Sequence, residues 1–287
     1  MRLLSSSLIL GALAGAALAD DALPLPTMGN TVKPETGRWV FTLVPKAFQR
    51  NPELQMTVIC ELTDFGRTQP AVTAEQPAYF IDHDNGMKQY GQPYAGVHAP
   101  DQAYLDRIIQ RSLSSNGYLP ADDLHRPSLV LFYTWGAHSA LDADLRSKFP
   151  ELARQQEIER SNLVGGQNFV NQFVRDLDSF PGTLDNSVRH QYLVDETRSD
   201  LYFVVVSAYD YAALTQNRRQ LVWRTKLTVD AQGMSMSETL VPLVLTAAPY
   251  FGRDMKDSEY LARPIRRGSV KLGPMNVLQT DVPAPKN

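Results

Sequence analysis

The stretch that most constrains the fold runs from Pro100 to Trp135. Between Asp101 and Ser115, the residues Tyr104, Leu105, Ile108, Ile109 and Leu113 recur at the spacing that gathers apolar side chains on one helix face. Asp101 is placed to cap the free amides of the first turn, and Gly117 supplies a left-handed stop. Ser128 to Trp135 then forms an apolar run without alternation, bounded by Pro127 and Gly136. A strand of that pattern is covered on both faces. An amphipathic helix followed by such a strand is an α/β unit, and the rest of the chain has to be compatible with it.

Several other segments fit. Trp39–Val44 is aromatic and β-branched and closes at Pro45, and Leu54–Leu62 reads as a second strand. Leu201–Tyr209 and Gln220–Val229 predict a long antiparallel hairpin around a polar connection containing Asn217, Arg218 and Arg219. Leu141–Leu177 is helical in character, interrupted at Pro150 and at Gly165-Gly166. A last helix is expected near Ser237–Phe251, with Ser235 and Glu238 at capping-box spacing. Pro242 must then fall in the first turn or kink that helix. Between Thr63 and Pro100 the punctuation by Gly66, Pro70, Pro77, Gly86, Gly91, Pro93 and Gly96 reads as a loop-rich region, with Tyr79–Ile81 a short strand inside it. A loop that long in a compact domain is often functional. The expected fold is α/β (α+β): one domain over 36–262, a mixed and mostly antiparallel sheet, helices mainly on one face, an extended arm over 20–35 and a basic, Pro-rich tail over 263–287.

The first nineteen residues suggest an address. Arg2 precedes an apolar run from Leu8 to Leu18, and Ala17-Leu18-Ala19 puts small residues just before Asp20. That is the layout of a cleaved signal peptide, and the run is shorter than the roughly 20 apolar residues of a membrane span. The expectation is a periplasmic or secreted protein cut after Ala19, with no transmembrane segment. Cys60, the one cysteine, lies far from that junction, so no lipid anchor is expected, and it cannot form an internal disulfide. Its apolar surroundings read as an inert buried thiol. With 43% hydrophobic residues the chain can build its own core. The net charge is −3, and loss of Arg2 leaves 27 bases against 31 acids. A mildly acidic chain has no global attraction for nucleic acid, which excludes that partner class.

No motif dictates a chemistry. Asp82 and Asp84 flank His83 before Asn85-Gly86 and suggest a metal or calcium loop. Against that, Gly86 occupies the third ligand position and Pro93 the twelfth, and an Asx-Gly turn explains the same residues. There is no Gly-x-Ser-x-Gly elbow and no His-Glu-x-x-His helix, and the five histidines are scattered. Asp210 at a strand end reads as a turn cap. Arg263, Arg266, Arg267 and Lys271 form a basic stretch whose simplest reading is a solvated tail. No cofactor and no catalytic residue is implied. A ligand site is placed where the Tyr79–Tyr94 loop meets the end of the Trp135 strand, lined by Tyr79, Tyr90, Tyr94 and Trp135.

Three stretches taken together carry a resemblance. They are Ser115-Asn116-Gly117-Tyr118, the strand from Pro127 to Gly136, and the pair Val205–Asp210 with Leu221–Thr225. Their order resembles that of uncharacterised exported α/β domains of Gram-negative envelope proteins, over roughly Leu54 to Val229. Many of those domains are lipoproteins, and the resemblance implies a small α/β fold shared with curli-secretion and Tol-type envelope components. This chain departs by lacking the lipid-anchor cysteine and by inserting Leu141–Leu177, and no functional residue is carried over. The expected function is a non-catalytic envelope or periplasmic module that binds an envelope protein or a small ligand. The alternatives are a hydrolase with its site around 63–100 and a calcium- or metal-dependent binder at Asp82 and Asp84.

Overall fold

The computed structural model describes residues 45–91, 98–178 and 187–267, together with the backbone of two short strands, β1 (Thr31–Val32) and β2 (Val40–Phe41), which pair antiparallel. The leader, Tyr94 and Lys271 lie outside the described residues. The remaining elements follow in chain order as β3 (Glu53–Leu62), α1 (Asp64–Thr68), β4 (Ala78–Tyr90), α2 (Gln102–Ser114), β5 (Tyr118–Pro120), β6 (Leu129–His138), α3 (Ala143–Lys148), α4 (Pro150–Leu177), α5 (Val188–Arg198), β7 (Leu201–Asp210), α6 (Tyr211–Thr215), β8 (Leu221–Asp230), α7 (Met236–Ala247) and β9 (Glu259–Pro264).

Seven strands form one sheet in the order β5-β4-β6-β7-β8-β3-β9. The β4–β5 and β4–β6 pairs are parallel, and the other four pairs are antiparallel. The fold is therefore α+β with a mixed, mostly antiparallel sheet. The parallel step at β4 and β6 encloses α2, as a crossover between parallel strands requires.

Alternation along the strands assigns the two sheet faces. On the first face Met56, Val58, Leu131, Trp135, Val204 and Leu227 belong to the main core, which α2 and α7 close with Leu105, Ile109, Leu240 and Val244. Asp101 caps α2 by accepting from the Tyr104 amide at 2.7 Å. Ser235 and Glu238 complete the capping box of α7. Pro242 stands inside that helix, beyond its first turn.

The inserted helices α4 and α5 cover part of the second face. Their own cluster of Val164, Phe169, Phe173 and Leu193 packs with Leu201. Gly166, at φ 73°, breaks the regular course of α4 above β3. A Cβ there would lie 2.8 Å from the Glu61 carboxylate, which accepts from the Gln167 amide at 2.6 Å. The glycine pair thus bends the helix against β3, as the sequence suggests.

Two expectations change. The segment read as loop-rich contains α1 and the thirteen-residue strand β4. Pairing with β6 from Phe80 to Tyr90 overrides the local turn signals, and Asp84-Asn85-Gly86 becomes a bulge within the strand. The turn chemistry survives inside it: Gly86 has φ 73° and its amide donates to Asp84 Oδ1 at 2.6 Å. At the other end, β9 holds the chain on the β3 edge through Pro264. Arg267 then donates to the Lys46 and Ala47 carbonyls, both at 2.8 Å, and pairs with Glu238 at 3.1 Å. These partners, distant in sequence, tie Arg267 to the domain.

Candidate functional site

The half of the second face left open by α4 and α5 is a solvent-open cleft of about 710 Å³. Its floor comes from alternate residues of paired strands. β6 gives Phe132 and Thr134, β7 gives Phe203, Val205, Ser207 and Tyr209, and β8 gives Arg224 and Lys226. Glu159 and Asn162 of α4 form one wall, and Arg219, in the connection after α6, closes another side.

The rings sit at the two ends. Tyr90 lies 5.8 Å from Phe203 with an interplanar angle of 29°, and 5.4 Å from His138. Phe132 meets Tyr209 edge to face at 5.6 Å. Between these groups run Thr134 and Val205. Six residues of extended chain from Phe203 to Tyr209 span about 20 Å.

The cations of the cleft differ in their partners. Lys226 donates to Glu61 at 2.8 Å and to the side chain and carbonyl of Asn162, so its charge is matched. Burial holds its pKa below the usual lysine value, opposed by the bond to Glu61. Arg224 donates Nε to Ser207 Oγ at 2.9 Å and Nη2 to Tyr209 Oη at 3.4 Å. No carboxylate among the described residues lies within ion-pair distance of Arg224 or of Arg219. Glu159 is the one acid among the cleft-lining residues described.

His138 closes the cleft beside Tyr90, and burial, reinforced by the Arg160 charge, pushes its pKa down to about 4. Arg160, 1% exposed, donates Nε to the Thr197 carbonyl at 2.6 Å and Nη1 to the His138 carbonyl at 2.8 Å. Its Nη1 also lies 3.2 Å from His138 Nδ1, which fits a neutral imidazole accepting there. Ser207, the serine of the cleft, is bonded to Arg224 and not to a histidine. Neither serine nor histidine is therefore set up as a nucleophile and its base.

Of the four aromatics placed at a site by the sequence, the three that are described do not converge. Tyr90, 48% exposed, lines the cleft. Trp135 is 2% exposed in the main core on the first face. Tyr79 stacks on His125 with ring centroids 4.3 Å apart. Tyr94 lies outside the described residues. Asp82 accepts from Gln110 Nε2 at 2.9 Å, and Asp84 accepts from Gln102 and from the Gly86 amide. Nearby, burial raises the Asp106 pKa, opposed by a bond from Tyr133. Among the described residues no group of three or more His, Cys, Asp or Glu side chains is arranged to hold a metal ion. Asp210 caps α6, accepting from the Ala213 amide at 2.6 Å.

A second cleft of about 720 Å³ opens at the sheet end near α1 and is lined in part by the segment the hydrolase alternative names, from Gly66 to Ala78. Its Arg67 is paired with Asp254 at 2.8 Å and with Asp64 at 3.0 Å. Its Ser128 donates to the Tyr79 carbonyl at 3.2 Å. Phe132, Phe203, Tyr209 and Arg224, which make the first cleft, are missing from the site read in the sequence. The signal for them is period two: alternate residues of β6, β7 and β8 place Phe132, Phe203, Tyr209 and the cations Arg224 and Lys226 on the face opposite the main core.

No family model and no curated protein matches the chain. Among solved structures, the PelC dodecamer of Paraburkholderia phytofirmans aligns over 69% of this chain and 99% of the PelC chain, with 10% identity and a TM-score of 0.28. A point variant of the same dodecamer aligns over the same shares with 11% identity and a TM-score of 0.29. Among the described residues, no helix is long and apolar enough to cross a membrane.

Proposed function

We propose that the protein is an exported, non-catalytic binding module of a bacterial cell envelope, and that the cleft over Phe203–Tyr209 is its ligand site. The signal-peptide layout of residues 1–19 and the resemblance to exported envelope domains support the location. One observation carries the site: Arg224 presents a half-buried guanidinium on an aromatic floor, held by two hydroxyls and within ion-pair distance of no described carboxylate, while its cross-strand neighbour Glu61 is paired with Lys226. Guanidinium donors left free in such a place fit an incoming anion. The absence of a serine–histidine bond in the cleft supports binding over hydrolysis.

Benzoate, a small ring carrying one carboxylate, is the simplest probe. Titrated into isotope-labelled protein, it is expected to move the backbone amides of Thr134, Val205, Ser207 and Arg224 together. Shifts centred on the Arg67–Trp223 end of the sheet, or no saturable shift at all, would overturn the assignment. Turnover of ester, phosphate monoester or glycoside reporters that disappears in Ser207→Ala would overturn the non-catalytic reading.

A further inference from the structure

The shape and chemistry of the cleft narrow its occupant. We infer that it binds an extended acidic glycan, a chain of sugar rings bearing carboxylates, with Arg224 and Arg219 pairing the acids, Tyr90 at one end and the half-buried Phe132 and Tyr209 at the other packing against ring faces, and Phe203 buried beneath Tyr90. This rests on the cleft being the ligand site. The length of about 20 Å between Phe203 and Tyr209 exceeds one monosaccharide and suits a short run of them. Polar groups along the cleft that are open to solvent, Asn85 and the half-buried Thr134 among them, match a ligand rich in hydroxyls. Aromatic rings offer apolar faces with polar tips, which suits sugar rings that are apolar on one face and hydroxylated at the rim.

Two other occupants fit less well. An extended peptide gains most of its affinity by adding a strand to a free sheet edge. The floor strands β6, β7 and β8 are each paired on both sides, so the cleft offers no such edge. An acyl chain needs an enclosed apolar cavity to leave water, and this trough is open and carries cations on its floor.

The test is calorimetric titration of the full-length mature chain with oligogalacturonate, oligomannuronate and hyaluronan fragments, beside neutral cello-oligosaccharides of equal length. At least one acidic oligomer is expected to bind more tightly than the neutral one, with affinity falling as salt rises. Arg224→Gln is expected to weaken it roughly 10- to 100-fold, the range for losing a charge-assisted pair. Arg219→Gln, at an exposed position, serves as the second variant if Arg224→Gln fails to fold, and is expected to weaken binding in the same direction. Equal binding of acidic and neutral oligomers would overturn the inference and leave the cleft as a glycan site. Failure of all the acidic oligomers while benzoate still maps to the cleft would overturn the glycan and spare the site. Loss of both would sink the site itself.

Discussion

Glu196 gives the sharpest test of how the helical insertion is held on the sheet. It is 4% exposed on α5 and reaches the second sheet face, where its Oε1 accepts from Thr228 at 2.7 Å and from Thr57 at 3.3 Å. Burial raises its pKa from 4.5 to about 7, opposed by the hydroxyls and reinforced by Asp230. The native state therefore keeps a proton that the unfolded chain releases above pH 4.5. The stability from this neutral carboxyl is fully present below that value and is lost as pH rises through 7. At about 1.4 kcal/mol per pH unit, the cost of carrying the charged form at pH 8 is roughly 3 kcal/mol. Glutamine is a stand-in for the protonated acid, because its oxygen can still accept from both threonines. Glu196→Gln is thus expected to match the wild type near pH 4.5 and to exceed it by about 3 kcal/mol at pH 8. Urea denaturation from pH 4.5 to 8 measures both curves. Two parallel curves would show that Glu196 titrates alike in the folded and unfolded chain and carries no buried proton.

Three further outcomes follow from the same packing. Arg160→Met leaves the Thr197 and His138 carbonyls without their donor and should cost roughly 2–5 kcal/mol in urea unfolding. Gly136→Ala would place a Cβ 1.7 Å from the Lys88 carbonyl oxygen at φ 156°, so it should cost roughly 3 kcal/mol or more and separate β4 from β6; an unchanged melting temperature would contradict that register. Burial pushes the Cys60 thiol up to about 12, so a disulfide reagent at pH 8 should label it only on unfolding, and rapid labelling of native protein would place it at the surface.

What the sequence made legible was set by local order. The α2 face, the capping box at Ser235 and Glu238, the hairpin strands and the break at Gly165-Gly166 all depend on residues within a few positions of one another. β4 escaped because its pairing with β6 joins residues about fifty positions apart, while Gly86 and its neighbours look locally like a turn. β9 escaped for the same reason, since it pairs with β3 from the far end of the chain. The cleft was hidden in part because its residues come from six elements, β4, β6, α4, β7, α6 and β8, and from the connection that holds Arg219. Tyr90 was singled out for its aromatic ring, yet its neighbours in space are Phe203 and His138, not Trp135, which the strand alternation turns into the core.

In a crystal structure of the protein grown with a uronic-acid tetramer, the oligomer is expected to lie along Phe203–Tyr209 with a carboxylate in bidentate contact with Arg224. Density for the sugar at the sheet end beside Trp223, or an empty cleft at saturating oligomer, would contradict that placement.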